Sequence, residues 1–590
     1  LGRDAKCVTA DTPLPGSEPG GIEEISKKIW EVPTMVQKAS VGRFGTQAAN
    51  LDFDGDVKGS LVCECEEVSV SEVDSAIENL EVNNLVDLRR RTRFGMGTCQ
   101  GELCACRAAG RLAKARKCTA KARADLKDFM DERWKGMYPV AWGETLRESA
   151  YTQWVYSEVM GLGEEILEEE IMKFDIVLIG GGLSSLVCGI KLQKAGKKCL
   201  MVFAGQNALH FSSGAFSLLG KLPDGTDVAE PLSAVETLPS EHPYSKIGKQ
   251  RLSEYVASVP GFFSDCGVAL HPVEATETVH NGYRITALGT LKPAWLAMDD
   301  VTLLASKDEK IGEKALIVNF SGFLDFNTRF IAESLEKRGT ECRIESVKLD
   351  EVELLRKNPA EMRSVNIARV MNHESSWKAF AHKVQELLNG EDVVILPEVF
   401  GFEEPVIMQW IKEMIPAKVV FIGTTPPSVP GIRTQRLLKK AFEAAGGTFL
   451  MGDEAIDAAF DGERVASIRT ANLGELRIEA DTFVLASGNL FGKGLLASPD
   501  AVKEPVFGLD VDYPAERKDW YDEKFFARQN YTGFGVKTNG DFKPLRDGKV
   551  VPNLYVVGSE VGGCNPLAEG SGAGVAIMTA FSAADRILGK

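Results

Sequence analysis

The stretch KFDIVLIGGGLSSLVCGIKLQKAG, residues 173–196, constrains this chain more than any other. An aliphatic run closes on three glycines and passes into a helical pattern that stops at Gly196. A buried strand, a tight turn and a helix are therefore expected in succession. The following KKCLMVF reads as a second buried strand, which completes a βαβ unit of the parallel, doubly wound type. Gly180 and Gly182 take the G-x-G positions, with Gly181 between them, where backbone N–H groups and the helix N-terminus can receive a phosphate. Ser185 stands where a third glycine would let helix and strand approach most closely.

This opening lies well inside the chain. At 590 residues the sequence exceeds what one core supports, and about three or four domains are expected. The formal charge of -16 repels phosphate backbones and anionic headgroups, which argues against nucleic acid as a partner. Apolar runs are broken by Gly, Lys or Asp within about ten residues, too short to span a bilayer. The chain begins without Met and without a signal-peptide pattern, so its N-terminal part is expected to be missing.

Seven of the twelve cysteines fall at or before Cys118, and clustering at one end points to metal and a reducing cytoplasmic setting rather than to disulfides. CEC at Cys63 and Cys65 is followed, after 33 residues, by CQGELCAC with Cys99, Cys104 and Cys106. Two close groups joined by a helical spacer can bring four thiolates to one point, as zinc and iron–sulfur clusters both require. In the spacer, Val73, Ala76, Ile77 and Leu80 have helical spacing, with Ser69 or Ser71 as N-cap. Arg89, Arg90, Arg91 and Arg93 lie just before the second group and would favour a reduced cluster, or else form a solvated basic face.

After the βαβ unit, ALIVNF, DVVILP and KVVFIG read as strands and FNTRFIAESLEKRG as a helix. RTQRLLKKAFEAAGG is a further helix, VASIRTA, ADTFVLASG and NLYVVGS are strands, and GSGAGVAIMTAFSAADRILG is a closing helix. No Asp or Glu appears between Phe203 and Pro223, where dinucleotide sites usually carry the acid that holds the adenosine ribose. The half of the site that would grip AMP therefore looks incomplete, which favours FMN over FAD, with FAD held by backbone contacts as the alternative. Arg363, Arg369 and Arg433 are candidates for an anionic substrate, against the ordinary reading of surface ion pairs.

The segment VCECEEVSVSEV…LRRRTRFGMGTCQGELCACRAAG resembles the [2Fe-2S] domain of bacterioferritin-associated ferredoxin (BFD-like). By that resemblance Cys63, Cys65, Cys99 and Cys104 are the ligands and Cys106 is a spare, with Cys106 in place of Cys104 as the alternative. ADTFVLASG and VPNLYVVGSEVGG…AEGSGAGVAIMTA resemble flavoprotein signatures. They imply flavin contacts at Ser487, Gly488, Gly558, Gly570 and Gly572, the last opening a helix aimed at the flavin ring. ALHFSSGAFSLL resembles the polar loop beside the flavin in enzymes of the succinate dehydrogenase kind, which makes His210, Ser212, Ser213 and Gly214 contacts.

Residues 172–590, through MKFDIVLIGGGL, HPYSK, SGFLDF, VNIAR, PPSVPGIR and EPVFGLDV, are similar to the B subunit of anaerobic glycerol-3-phosphate dehydrogenase. Residues 1–171, through CVTADTPLPGS, ERWKG and AWGETLRES, are similar to the C-terminal part of its A subunit. The resemblance implies an α/β, doubly wound FAD/NAD(P)-binding, Rossmann-like flavoprotein fold with an inserted cap domain, preceded by a small helical [2Fe-2S] domain. The expected boundaries are an upstream tail at 1–60, the cluster domain at 61–112 and a helical tail and junction at 113–171. The flavin domain would then comprise 172–215 with 426–590, and the cap 216–425. Met172 would mark a junction from gene fusion or read-through.

The implied function is electron transfer, by flavin and iron–sulfur cluster, in oxidation of sn-glycerol 3-phosphate to dihydroxyacetone phosphate. The partners would be a catalytic FAD subunit and a membrane-associated iron–sulfur subunit that leads to the quinone pool. The chain would then lie in the cytoplasm at the inner face of the cell membrane, held there by a partner. No catalytic residue is assigned to this chain. Two other readings compete: an independent flavin oxidoreductase with a small substrate in 216–425, and an assembly scaffold whose cysteines hold zinc.

Overall fold

The computed structural model describes residues 60–163 and 172–590, apart from residues 81, 83, 117, 118, 274–277, 300, 357–361, 474 and 475. The expected tail at 1–60, Ser60 excepted, and the acidic junction at 164–171 lie outside the described residues. The chain divides into two compact units. One is Leu1–Ile171 with the short segments Leu450–Glu454 and Arg469–Arg477; the other is Met172–Phe449 with Ala455–Ile468 and Ile478–Lys590.

In the first unit β1 (Leu61–Cys63) and β2 (Val68–Ser69) form an antiparallel pair whose connecting turn carries Cys65. Helix α1 (Val70–Asn79) starts at Ser69, the first of the two candidate caps. The Ser69 hydroxyl accepts from Glu72 N, and the Glu72 carboxylate accepts from Ser69 N at 2.7 Å, so two otherwise orphaned amides are satisfied reciprocally. Val73, Ala76 and Ile77 are buried, as their spacing requires, and Leu80 ends the helix as its C-cap. Helices α2 (Leu85–Thr92), α3 (Ala105–Arg116), α4 (Thr119–Met137) and α5 (Glu144–Trp154) follow. The core gathers Leu85, Leu88, Ala105, Ala108, Phe129 and Trp134. The expected boundary at 112 falls inside α3.

The second unit is built on the βαβ unit read from the sequence: β3 (Met172–Ile179), α6 (Leu183–Lys194) and β4 (Cys199–Phe203). Helix α7 (Val429–Ala444) leads back to the main sheet. Then come β5 (Thr448–Met451), β6 (Ala455–Asp461), β7 (Arg464–Thr470), β8 (Arg477–Leu485) and β9 (Leu554–Val556). The sheet has seven strands in the order β5-β4-β3-β8-β7-β6, with β9 also paired to β8. β3 runs parallel to β4 and β8, with Ile179 opposite both Val202 and Leu485. Because Leu485 also lies opposite Val556 on parallel β9, the C-terminal ends of these neighbouring strands finish level. In open parallel sheets that edge is where ligands bind.

The short helix α8 (Pro566–Glu569) precedes the long final helix α9 (Gly572–Ile587), which packs on α6. Between β4 and α7 lies a four-stranded parallel sheet of Lys314–Phe320, Glu341–Val347, Val393–Pro397 and Lys418–Ile422, with its own aromatic core of Phe320, Phe380 and Phe400. The expected boundary at 215 falls inside the two-residue strand Ala215–Phe216.

Candidate cofactor sites

The turn after β1 and the loop before α3 bring four sulfurs together. Cys63 and Cys104 hydrogen-bond to each other, Cys65 and Cys99 do the same, and Cys104 feels the charges of both Cys63 and Cys99. Sharing one proton with Cys104 and accepting backbone amides pull the Cys63 thiol down to about 6, while Cys104, as the proton's holder and a buried group, is pushed up. A thiolate and a thiol side by side are an arrangement that a metal ion converts into two thiolate ligands.

Gly97 permits the approach: a Cβ there would lie 2.3 Å from the Cys65 Cβ. Helix α4 braces the second cysteine loop. Arg133 donates to the Cys99 carbonyl at 3.3 Å and pairs with Glu102 at 2.7 Å, and the Phe129 ring fills the space where a side chain at Gly101 would stand. Cys106 turns to the Tyr156 hydroxyl, 4.0 Å away. Of the arginines before this loop, Arg93 pairs with Glu66 at 2.9 Å and Arg90 with Asp87 at 3.6 Å, so part of their charge is spent locally.

In the second unit Gly180, Gly181 and Gly182 form the turn between β3 and α6. Gly180 has φ of +112°, and a Cβ there would lie 2.2 Å from the Ala486 carbonyl oxygen, so two crossing turns touch backbone to backbone. A side chain at Gly181 would meet the Phe203 ring. In front of Gly182 nothing stands within 4 Å of a Cβ, and Gly182 caps α6 without a side-chain hydrogen bond. Open space thus lies in front of the glycine turn at the start of α6, where a bound phosphate would sit. Ser185 is fully buried, with no partner for its Oγ among the described residues. Ser487 and Gly558 join this turn, since a Cβ at Gly180 would lie 3.0 Å from Ser487 N and one at Gly558 would meet Ser184 Oγ at 2.6 Å, and Gly488 follows Ser487 directly.

Ser487 and Gly488 are also engaged by a residue that the motifs did not single out. Glu560 is fully buried; its carboxyl accepts from Ser487 Oγ at 3.0 Å and from Gly488 N at 3.2 Å. Burial and the neighbouring buried Glu504 push its pKa well above the usual carboxylate value. The dinucleotide pattern points to the end of β4 for an acid, whereas this one follows β9.

His210 lies in a short 3-10 turn, Ala208–Phe211, with Ser212, Ser213 and Gly214 continuing from it. This loop packs on the start of α7: Ser428 N donates to the His210 carbonyl at 2.8 Å, and a Cβ at Gly431 would lie 1.9 Å from the Leu209 carbonyl oxygen. Asn207 ties it to the glycine turn through the Gly181 carbonyl. Gly570 is left-handed, and the following Ser571 caps α9 without a side-chain hydrogen bond, while Gly574 N in the first turn donates to the Ser217 carbonyl at 2.7 Å.

Of the three arginines, Arg363 pairs with Asp325 at 3.1 Å and Arg369 reaches Asn366 at 3.3 Å. Arg433 differs from the surface ion pair expected of it. It is buried in the second turn of α7, which begins four residues earlier at Val429, and Nη1 donates to the Gly401 carbonyl at 2.9 Å. Capping by Ser428 and a proline at the helix start account for the earlier beginning.

Two family models match: an FAD binding domain over residues 175–575 and a BFD-like [2Fe-2S] binding domain over 61–112. The B subunit of anaerobic glycerol-3-phosphate dehydrogenase from Yersinia enterocolitica is 37% identical over 421 residues, 71% of this chain and 98% of that protein. Its counterpart in Pectobacterium atrosepticum is 37% identical over 420 residues, 71% and 99% respectively. That of Vibrio cholerae is 36% identical over 430 residues, 71% and 97%. Among solved structures, 3-ketosteroid delta1-dehydrogenase from Sterolibacterium denitrificans is 12% identical, covers 71% of this chain and 99% of that one, and has a TM-score of 0.34. The chain therefore belongs to the family of anaerobic glycerol-3-phosphate dehydrogenase B subunits and carries a BFD-like [2Fe-2S] binding domain as well.

Proposed function

We propose that this chain is the flavin and iron–sulfur electron-transfer component of a quinone-linked, anaerobic glycerol-3-phosphate dehydrogenase. The observation that carries the reading is the pairing, within one chain, of a four-sulfur cluster site with a glycine turn that leaves open space at the start of its helix. A bound flavin accepts two electrons and a [2Fe-2S] cluster passes them on singly, which turns two-electron substrate chemistry into a one-electron current.

The chain's own residues have distinct parts in this. Cys63, Cys65, Cys99 and Cys104 would hold the cluster. The amides at Gly181 and Gly182 would receive the flavin phosphate, with Gly180, whose own amide donates to the Val202 carbonyl at 2.8 Å, forming the turn that brings them there and Ser185 standing in the first turn of α6. The loop of His210, Ser212, Ser213 and Gly214 would flank the flavin, as would Ser487, Gly488, Gly558, Gly570 and Gly572. No base for hydride abstraction is assigned to this chain, and on this reading substrate oxidation falls to a separate catalytic FAD subunit.

FMN is the flavin this reading favours, because the segment after β4 offers no carboxylate and its two carboxamides are already engaged. Asn207 accepts from Leu209 N at 2.9 Å and donates to Gly181 O, and Gln206 accepts from Gln435 at 3.4 Å. FAD is the alternative, supported by the description of the matched domain. No helix among the described residues is long and apolar enough to cross a membrane. Contact with the membrane at its inner face would come through an iron–sulfur partner subunit that feeds the quinone pool. The domain boundaries proposed are 61–112 for the cluster domain, 172–215 with 426–590 for the flavin domain, and 216–425 for the cap.

Anaerobic purification tests the reading. Flavin released from the protein, identified by mass, with two iron atoms and two labile sulfides per chain at about full occupancy, is the expected result. Colourless protein containing zinc would overturn it in favour of a scaffold. Reduction of the purified chain alone by glycerol 3-phosphate, without the catalytic subunit, would favour an independent oxidoreductase.

A further inference from the structure

A buried cluster beside the final helix is used by none of the roles above. His242, Cys564 and Glu569 are all buried, and their donor atoms lie within 4.8 Å of one another. Composition alone suggests a metal site, but the hydrogen bonds argue otherwise. Tyr244 N donates to His242 Nδ1 at 3.1 Å, which uses the only in-plane lone pair of the neutral ring. The network therefore assigns the proton to Nε2, which faces Glu569 Oε2 at 3.3 Å. A metal would need a lone pair where this proton sits.

What the arrangement does instead is fix a negative charge. Glu569 Oε1 accepts from Asn565 N at 2.8 Å, and Oε2 accepts from Ser571 Oγ at 3.2 Å as well as from His242. These donors hold its carboxyl below the usual range although burial acts against them. The other titratable groups around it are few. Cys564 is kept as a thiol by burial, the Tyr244 hydroxyl donates to the Leu218 carbonyl at 2.6 Å, and Lys246 is occupied by Thr538 O at 3.0 Å and Glu241 at 3.3 Å. Among the described residues, Glu569 is thus a buried anion with no cation in its hydrogen-bond shell, the His242 ring donating as the neutral tautomer. Its backbone is equally fixed, since its carbonyl accepts from Gly220 N at 2.9 Å and Lys221 N at 2.8 Å.

Glu569 ends α8, and only Gly570 and Ser571 separate it from Gly572, where α9 begins. On the reading proposed above, on which this inference rests, that helix end faces the flavin ring. Two electrons and one proton added to a neutral flavin leave one negative charge on the ring, which the helix N-terminus favours and a neighbouring carboxylate opposes. We propose that Glu569, locked as a carboxylate by His242, Asn565 and Ser571, offsets the positive end of α9 and holds the flavin potential low, so that electrons pass onward instead of resting on the flavin. His242 is a positioning residue in this scheme.

The test is spectroelectrochemical titration of the purified flavin-bound protein between pH 6 and 8, with dithionite as reductant. Glu569→Gln is expected to raise the flavin midpoint potential by about 30 mV or more, a tenfold change in the two-electron equilibrium, while Glu569→Asp stays near wild type. Should Glu569→Gln fail to fold, His242→Ala removes the donor that lowers the carboxyl most and leaves the carboxylate itself in place. Its potential should rise more steeply than wild type as pH falls towards 6, because burial is then less opposed and the carboxyl takes up its proton at higher pH. Potentials within threefold of wild type, in equilibrium terms, in the Gln variant, or no added pH dependence in the Ala variant when it alone folds, with flavin still bound, would overturn the proposal while leaving the electron-transfer reading intact. A wild-type chain that binds no flavin would overturn both.

Discussion

Individual atoms carry most of the chemistry at the cluster. The Cys63–Cys104 contact shares one proton between two sulfurs, and the loss of either should remove a ligand that a water cannot replace. Cys104→Ser is expected to lose at least nine-tenths of its iron and labile sulfide while retaining flavin, measured by metal analysis and flavin extraction on the same sample. Cys106→Ser, whose sulfur faces Tyr156, should keep its iron. Glu560 offers a pH test. Its folded pKa is raised above the ordinary 4.5, so its contribution to stability is fully present below that value and is lost as pH rises through the folded pKa. The uncharged isostere Glu560→Gln should therefore flatten the fall of the thermal midpoint above pH 4.5, and an unchanged slope would assign that fall to other groups.

At the scale of elements, two helix starts matter for different reasons. The start of α1 is closed on itself by the Ser69–Glu72 capping box, so Ser69→Ala should cost about 1 kcal/mol of the cluster unit's stability. That loss would appear as earlier bleaching of the cluster chromophore on heating. The start of α6 is open, and its turn depends on Gly180 lying against the Ala486 carbonyl with a positive φ. Gly180→Ala should cost about 1–3 kcal/mol and displace the turn, so flavin content should fall severalfold while iron is kept. The strands and helices of this unit were readable because β4 and the second half of β3, Ile176–Ile179, are buried on both faces and so consist of uninterrupted apolar residues. Helix α4 was readable only as part of a helical tail. That Arg133 and Phe129 brace the cysteine loop depends on which turn of α4 meets it, and no periodicity reports that.

For the molecule as a whole, the division at Ile171 and Met172 makes two compact units, with short returns of residues 450–454 and 469–477 counted with the first. A chain of residues 172–590 alone is expected to take up flavin and no iron, checked by flavin absorbance and metal analysis. By itself the sequence determined the local chemistry: which segments are strands and helices, which cysteines are close in number, and where a glycine turn opens a helix. It did so because these depend on neighbours within a few residues. Only the tertiary structure decided that Glu560 reaches back across 73 residues to Ser487, that Arg433 is buried under Gly401, and that His242 meets Glu569 across 327 residues. Such contacts are set by the register of parallel strands and the packing of α9, and a buried polar side chain finds its partner only when the whole sheet has closed around it.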